Sequence, residues 1–301
     1  MRLEPTSLES NRFDVERMFV ETSKLVAKLR LEMRWLEEVG STNTYLREQW
    51  PETNEKDTLQ FGKLVMTAKQ TSGRGRQGRA WETPKGLALA MSYLTEDFSK
   101  SKLGPGWVPL LAGSAAAAAV QAVLPLDKTA KVKWPNDVQV VHKDSSNQDA
   151  FGKKVCGILC EMMTDGSVII GAGFNLFIAR EDLPTPRAAS LLSLGAETGG
   201  AQNIYSIDGA KFADRIAARF IEEIVALAVL ARENPERARE RVLSDSHTIG
   251  MRVRAELPGG LEIVGVAESF ADDGSLVICD QTGNSRVVSA GDVWHLRPAE
   301  L

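Results

Sequence analysis

Apolar residues along the chain fall into short runs separated by turn residues, a pattern that predicts β-strands. The candidate strands lie at residues 63–68, 86–93, 130–134, 155–162 and 167–174. Further on, apolar residues recur every three or four positions from Phe212 to Leu227, and this spacing predicts a long amphipathic helix over residues 208–232. The main part of the chain is therefore expected to combine strands with helices.

Both ends of the chain depart from this pattern. Residues 1–34 are weakly amphipathic and predict a helical extension. After residue 246 the chain becomes a series of short apolar runs separated by Gly, Asp and Asn turns, which predicts a small SH3-like barrel. We expect three parts: an N-terminal helical extension over 1–35, a main domain over 36–246 and a barrel over 247–301.

One longer apolar segment runs through residues 107–124. It contains Pro109, Gly113 and Gln121, and its run of alanines favours a helix. A helix of this length and composition is typical of a buried core rather than of a membrane span. Residues 1–30 are charged throughout and contain no apolar signal-peptide segment. The sequence thus predicts a cytoplasmic protein with no membrane partner.

Composition places the chain among ordinary globular proteins with a slightly acidic charge balance. Its 301 residues are 43% hydrophobic and 25% charged, with 36 Lys and Arg against 40 Asp and Glu. A chain of this length is expected to form a large domain and a smaller one. Three cysteines and three dispersed histidines predict neither a disulfide framework nor a metal centre.

Positive charge is concentrated in one glycine-rich segment, residues 73–79, which precedes Trp81. Arg74, Arg76 and Arg79 alternate here with glycines. Arginine binds carboxylate and phosphate oxygens in a bidentate manner, and glycine lets the backbone approach a ligand closely. Basic glycine-rich segments also occur as solvated linkers and nucleic-acid patches. One basic loop in an acidic chain favours a small anionic ligand over an extended nucleic acid.

A second candidate segment places Lys133 at the end of a predicted strand, directly before a Pro-Asn-Asp turn. Taken alone, Lys133 also fits a surface lysine at a strand end. Together with the arginine loop, however, it predicts an enzyme that activates a carboxylate with a nucleotide, because two anions that react must be brought together by cations.

Ser41, Thr42 and Asn43 precede a segment that has the features of a helix start. Such residues cap helices by accepting hydrogen bonds from backbone N–H groups. A helix N-terminus also offers N–H groups and partial positive charge to a polar or anionic ligand. The local sequence leaves both interpretations open.

These segments stand in an order that resembles the biotin protein ligases, and the resemblance extends over residues 36–298. It rests on Ser41-Thr42-Asn43, Gln70, the loop at 73–79 with Trp81, Lys133-Trp134-Pro135-Asn136-Asp137, Gly157-Ile158-Leu159, Glu161 and Gly171-Ala172-Gly173-Phe174-Asn175. Gln77 departs from the family pattern, in which many members carry a further arginine. The resemblance implies an α+β fold: a catalytic domain with a mixed sheet flanked by helices, similar to that of class II aminoacyl-tRNA synthetases, plus a C-terminal SH3-like β-barrel.

The resemblance also implies an ATP-dependent ligase that makes biotinyl-5′-adenylate and transfers biotin to a lysine of a biotin carboxyl carrier domain. Its catalytic residues would be Lys133, Arg74 and Arg76. Biotin would contact Ser41, Thr42, Asn43, Gln70, Gly73, Arg74, Gly75, Arg76, Lys133, Gly157 and Gly173. The nucleotide would contact Arg76, Arg79, Trp81, Asn136, Lys133 and Asn175, with Trp81 stacked on adenine.

Further expectations concern the metal, DNA and competing functions. Mg²⁺ is expected to accompany ATP, although no carboxylate cluster in the sequence singles out its ligands. Residues 1–35 are too few for the three-helix DNA-binding domain of some family members, so no DNA partner is expected. Two alternatives stay open: a lipoate- or octanoate-type acyl ligase, and a non-enzymatic module that binds RNA or protein.

Overall fold

The computed structural model describes residues 14–49, 62–95, 98, 101–143, 152–293 and 295–299. Its helices are α1 (Val15–Met18), α2 (Val20–Leu29), α3 (Thr42–Gln49), α4 (Val108–Gln121), α5 (Ile207–Glu233) and α6 (Pro235–Asp245). The strands of the main domain are β1 (Glu32–Leu36), β2 (Lys63–Thr67), β3 (Ala88–Thr95), β4 (Lys128–Lys133), β5 (Asp137–His142), β6 (Lys153–Met162) and β7 (Val168–Asn175). The C-terminal strands are β8 (Arg252–Glu256), β9 (Glu262–Phe270), β10 (Leu276–Asp280), β11 (Ser285–Val288) and β12 (His295–Pro298).

The main sheet is mixed, as expected. Its strand order is β1-β2-β3-β7-β6-β5-β4. The β1–β2 pair is parallel and the other pairs are antiparallel. Hairpin connections join β4 to β5 and β6 to β7, which keeps the Lys133–Asp137 turn at the end of two paired strands.

The two faces of this sheet bury different sets of side chains. Strand residues alternate between faces, so Val65 and Ile169 pack against Leu46 of α3, whereas Leu64 and Ile170 belong to the larger core on the opposite face. That larger core lies under α4 and α5, and α4 contacts both α5 and the strands. The helix expected at 107–124 is therefore a buried core helix.

Helix boundaries follow from local capping. The side chain of Ser206 accepts a hydrogen bond from Gly209 N–H at the start of α5, and Asn234 does the same for Arg237 at the start of α6. Pro235 occupies the first turn of α6, where no intrahelical donor is needed. In the described part of the chain, no helix combines the length and the apolar character that a membrane crossing requires.

The N-terminal helices are fastened to the main domain by one buried carboxylate. Asp214 of α5 is 3% exposed and accepts hydrogen bonds from the backbone N–H of Glu21 (2.7 Å) and of Thr22 (2.9 Å). The Thr22 hydroxyl donates to the same carboxylate at 2.6 Å. Strand β1 crosses the predicted boundary between residues 35 and 36 and joins the main sheet, and the three-part division stays a prediction.

Several elements differ from the pattern-based expectation. Residues 32–36 form strand β1, although residues 1–34 are expected to be helical. Strand β5 begins at Asp137 itself, where the sequence suggests only a turn, and α6 follows α5 after a single residue. The polar composition of residues 142–149 predicts an exposed hairpin loop. This segment lies mostly outside the described residues, although His142 is the last residue of β5.

The C-terminal strands form a second, antiparallel sheet in the order β11-β10-β9-β8-β12, consistent with a small barrel. The turn between β9 and β10 packs against the main domain. Trp107 donates from its indole nitrogen to the carbonyl of Asp272 (2.9 Å), and Trp134 donates to that of Gly274 (3.2 Å). Arg239 of α6 pairs with the Asp272 carboxylate at 2.9 Å. The barrel is thus docked through indole-to-backbone hydrogen bonds.

Candidate active site

A cleft on the α3 side of the main sheet brings together most of the sequence motifs. Its walls come from the start of α3, the loop at 73–81, the turn at 133–137, and the glycine-containing segments of β6 and β7. The barrel closes one side with Val293, His295 and Leu296. Five cationic side chains line the cleft (Arg74, Arg76, Arg79, Lys133 and Lys154), and Asp137 is the one carboxylate among its described lining residues.

The turn at 133–137 is held from several sides. Lys133 and Asp137 face each other as the last cross-strand pair of β4 and β5. Asn136 donates from its side-chain nitrogen to the carbonyl of Ile158 (2.7 Å), and Ile158 N–H donates back to the Asn136 carbonyl (2.9 Å). The Trp134–Pro135 peptide bond is cis. The Asn136 side chain therefore fixes the turn to β6.

Lys133 occupies an environment that disfavours its charge. Burial lowers the pKa of Lys133 to about 8, and Lys154, Arg187 and Arg297 act in the same direction, while Asp137 raises it. A desolvated ammonium with other cations nearby is stabilised strongly by an anion that binds beside it. This is the electrostatic arrangement that stabilises developing or converging negative charge.

Asp137 is already engaged by a neighbouring lysine. Its Oδ1 atom lies 2.6 Å from Lys154 Nζ on β6. The same Lys154 ammonium lies 5.4 Å from the centre of the Trp81 ring. The pair leaves the cleft strongly positive, because one carboxylate offsets only one of its five cations.

The loop at 73–79 folds into a small hairpin over the cleft. Gly75 N–H donates to the Arg79 carbonyl (2.7 Å), and Trp81 N–H donates to the Gly73 carbonyl (2.9 Å). Gln77 at the tip has φ of 56°, the left-handed conformation that non-glycine residues rarely adopt. The hairpin turns its side chains toward the barrel and the Lys133 turn.

Arg76 and Gln77 attach this hairpin to its surroundings. The Arg76 guanidinium donates to Asn136 Oδ1 (3.3 Å) and to the carbonyl of Ala290. Gln77 Nε2 donates to the carbonyl of Val293 (2.9 Å), and its Oε1 accepts from Arg79 (2.9 Å). The pKa of Arg76 is lowered by burial and then by Arg79. The acceptors of Arg76 are thus neutral oxygens, which an anionic ligand would outcompete.

Trp81 lies directly over the glycines of the sheet. A Cβ atom at Gly173 would overlap its indole ring, and one at Gly157 would lie 3.0 Å from it. The Trp81 indole nitrogen is buried and has no hydrogen-bond acceptor among the described residues. In this structure Trp81 is the group that lies against Gly157 and Gly173, and their contact with biotin stays a prediction.

Ser41 and the first residues of α3 line the cleft, and the start of the helix is capped at the same place. Gln70 Oε1 accepts from the backbone N–H of Thr42 at 2.9 Å, and Ser41 Oγ lies 3.4 Å from Thr44 N. The Asn43 amide donates to the Leu159 carbonyl (3.1 Å) and to Glu161 (2.8 Å). Asn43 is therefore tied to β6, whereas Ser41 and Thr42 present the helix start to the cleft.

Metal binding by the protein itself finds no support in this arrangement. No group of three or more His, Cys, Asp or Glu side chains with metal-binding geometry occurs among the described residues. Asp137, the carboxylate of the cleft, is paired with Lys154. The donor set does not fit a protein-held magnesium site.

Comparison with known proteins identifies the family to which this site belongs. The model of the biotin/lipoate A/B protein ligase family matches residues 35–175. The biotin–[acetyl-CoA-carboxylase] ligase of Mycobacterium tuberculosis is 35% identical over 262 residues, which span 86% of this chain and 87% of that protein. The chain belongs to the biotin protein ligase family.

Other relatives agree with this membership. The bifunctional ligase/repressor BirA of Bacillus subtilis is 35% identical over 147 residues, 46% of this chain and 40% of BirA. The solved structure of the biotin protein ligase from Aquifex aeolicus in complex with biotin and ATP has a TM-score of 0.64 at 24% identity, and the match covers 89% of this chain and 99% of that one. The latter likeness supports the fold.

Two of the site residues expected for a biotin protein ligase do not line the cleft here. Asn175 is 5% exposed, and its side chain donates to the Ala189 carbonyl at 3.1 Å. Gly73 lies against the Trp81 carbonyl, where a Cβ would overlap it. The other expected residues, including Arg79 and Gly75, do line the cleft. The roles assigned to all of them stay predictions.

Sequence reasoning missed four site groups of this ligase. Lys154 and Asp137 form the ion pair in the cleft, and His295 enters from β12. Arg297 lies close enough to lower the pKa of Lys133. The Lys154 position carried a weak signal, since it lies three residues before Gly157 on a strand already implicated. His295 and Arg297 gave no such signal, because only the docking of the barrel brings His295 to the cleft and Arg297 near Lys133.

Proposed function

We propose that this ligase activates biotin with ATP and transfers it to one lysine of a carrier protein. In the first step a carboxylate oxygen of biotin attacks the α-phosphorus of ATP, the bond to the β-phosphate oxygen breaks, and pyrophosphate leaves. In the second step the lysine amine attacks the carbonyl of the adenylate, AMP leaves and the amine loses a proton as the amide forms. The observation that supports this proposal is the cluster of five cations around a cleft with one carboxylate.

Lys133 is proposed to lie between the two reacting anions. Burial lowers its pKa to about 8, so the ammonium is still charged at neutral pH but poorly solvated, and an anion bound beside it would raise that pKa again. Arg76 and Arg74 then close over carboxylate and phosphate oxygens, with Arg76 leaving the neutral Asn136 and Ala290 oxygens. Ser41, Thr42 and Gln70 are proposed to receive the ureido end of biotin at the start of α3.

The nucleotide is proposed to enter between the arginine loop and the barrel. Trp81 offers an aromatic face and a buried N–H without an acceptor among the described residues, so it suits a base or a polar ring atom. Arg79, Asn136 and Asn175 are further candidates for nucleotide contact, although Asn175 must exchange its Ala189 carbonyl partner to make one. Magnesium is proposed to enter with the triphosphate, whose oxygens would supply its ligands, since the described residues contain no group of three or more potential metal-binding side chains.

The acceptor is proposed to be a biotin carboxyl carrier domain. Support comes from the relative in M. tuberculosis, whose name specifies acetyl-CoA carboxylase. The family description also includes lipoate ligases, so the acyl group has to be tested directly.

One assay separates the candidate functions. The protein is mixed with Mg-ATP, a carrier domain and either biotin or lipoate, and mass spectrometry of the carrier reads the added group. A biotin adduct that requires ATP and the target lysine is expected. A lipoyl adduct would transfer the mechanism to another substrate, and binding of RNA without any adduct would refute the enzyme proposal.

A further inference from the structure

Thr248 lies in the short segment between α6 and β8, where the main domain meets the barrel. Its side chain is fully buried at 0% exposure. Its hydroxyl oxygen accepts a hydrogen bond from the backbone N–H of Trp134 at 2.8 Å. This N–H belongs to the peptide group that joins Lys133 to Trp134, so the contact lies one peptide away from the lysine of the cleft.

The backbone N–H and carbonyl of Thr248 have other partners, and its hydroxyl makes the contact with Trp134. Its own N–H lies 3.1 Å from Ser246 Oγ, and its carbonyl accepts from Met251 N–H at 3.1 Å. The preceding residue, His247, donates from its N–H to the Val132 carbonyl at 2.8 Å. The interdomain segment thus runs alongside the end of β4 and holds the peptide groups on both sides of Lys133.

The other supports of Trp134 do not replace this hydrogen bond. The indole donates to the Gly274 carbonyl (3.2 Å), which anchors the ring but does not involve the N–H of the Lys133–Trp134 peptide group. A buried backbone N–H that loses its acceptor carries the full cost of desolvation. The local peptide would then rotate toward another acceptor, and the Lys133 side chain would move with it.

We propose that Thr248 is a positioning residue for Lys133. It reaches the cleft through its hydrogen bond to the Trp134 main chain, and it fixes the peptide plane from which the Lys133 side chain extends. The proposal rests on the proposed role of Lys133 in adenylate formation. It adds a residue from the domain junction to the machinery of that step.

The test compares Thr248→Val, which keeps the shape and removes the acceptor, with Thr248→Ser, which keeps the acceptor. Pyrophosphate exchange is expected to show kcat about tenfold lower in the valine variant, because the loss of one buried hydrogen bond displaces Lys133, with KM for biotin and ATP nearly unchanged. The serine variant is expected to retain wild-type kcat. Should Thr248→Val fail to fold, Thr248→Cys takes its place, since sulfur is a poor acceptor of similar size.

Thr22→Val serves as the matched control. Thr22 is equally buried and loses a hydroxyl bond to Asp214, far from the cleft. It is expected to lower the melting temperature without lowering kcat. Equal losses of kcat in the Thr22 and Thr248 variants would show that the effect comes from lowered stability, and this would overturn the proposal. Wild-type kcat in Thr248→Val would overturn it as well.

A second readout needs neither biotin nor ATP. An amine-reactive ester labels lysines, and mass spectrometry compares Lys133 with Lys131 on the same strand. In Thr248→Val the labelling of Lys133 is expected to rise several-fold relative to Lys131, because a lysine freed from its position gains access to reagent. Unchanged relative labelling refutes the positioning role even if the wild type proves not to make the adenylate.

Discussion

Two segments deliver cations to the same cleft, and they are held in opposite ways. The turn at 133–137 is built into paired strands, tied to β6 through Asn136 and to the domain junction through Trp134. The loop at 73–79 projects from the sheet as a hairpin, with a strained Gln77 at its tip and hydrogen bonds to barrel carbonyls. The comparison suggests that the charge of Lys133 is fixed in the sheet, whereas the arginines of the loop can move away when the loop opens.

This difference suits the two demands that adenylate chemistry makes on a protein. A charge that waits in place stabilises the transition state without reorganisation at the moment of reaction. A cover that opens admits substrates and then retains a reactive intermediate. If the comparison is right, changes in the turn should abolish synthesis, whereas changes in the loop should alter retention and access.

The largest effect is expected from Lys133→Gln. Removing the charge between two converging anions should slow adenylate synthesis by about 10³-fold, while biotin binding weakens much less. Pyrophosphate exchange measures the first and isothermal titration the second. Lys131→Gln is the matched control, since Lys131 lies on the same strand and donates to the Ser244 carbonyl. Normal exchange in Lys133→Gln would remove the fixed charge from the mechanism.

The next effect concerns the loop. Arg76→Gly should remove a charge-assisted contact of about 1.5–3 kcal/mol and release the adenylate roughly ten- to a hundredfold faster. The escaped anhydride would acylate exposed lysines, so a streptavidin blot of whole lysate should show many labelled proteins where the wild type labels only its carrier. Arg74→Gly allows the two loop arginines to be compared. An Arg76→Gly enzyme that makes adenylate and stays selective would argue against the cover.

The pH profile sharpens the distinction further. Lys133 must be protonated to act as a cation, and its pKa of about 8 in the free protein places the loss of charge just above neutrality. Hence kcat/KM, which reports the free enzyme, should fall as pH rises through 8, by about tenfold per pH unit beyond it. Lys133→Arg, a permanent cation, should lose this alkaline limb whatever its absolute rate. A wild-type profile that is flat to pH 10 would contradict the burial argument.

The smallest effect is expected at Gln77. Gln77→Ala removes the hydrogen bonds to Val293 and Arg79, and tryptic cleavage after Arg76 or Arg79 should become a few-fold faster in the ligand-free protein. Biotin with ATP should slow cleavage in both proteins. Gln77→Gly provides a control for the left-handed backbone, because glycine adopts φ of 56° without strain. If cleavage is as slow in Gln77→Ala as in wild type, the hydrogen bonds of Gln77 do not hold the loop against the barrel.

The local sequence was sufficient to predict the elements whose apolar pattern runs through consecutive residues. The predicted strand at 63–68 is β2 (Lys63–Thr67), and the predicted helix at 208–232 is α5 (Ile207–Glu233). The arginine loop and the Lys133 turn were recognised because each places its chemistry in a few consecutive residues. Both could therefore be expected at one site once the family order was seen.

The missed elements have mixed signals. Strand β1 carries Glu32 and Arg34 at the edge of the sheet, so its pattern is not clearly apolar. In β5 the polar Gln139 is buried at 4% exposure, which breaks the alternation that marks a strand. The Asp137–Lys154 pair, His295 and Arg297 depend on contacts between distant segments. Such contacts are set by sheet register and domain docking, which a single sequence does not encode locally.

The glycines beneath Trp81 have a consequence for anyone who wishes to redesign the substrate. Gly157, Gly171 and Gly173 form a cleft floor made of main chain alone, and a methyl group at 171 or 173 would overlap Asn43 or Trp81. Glycine has no side chain to shorten, so substitutions at these positions cannot make room for a bulkier substrate analogue. Extra volume has to come from the opposite side of the cleft, where Trp81 lies over Gly157 and Gly173.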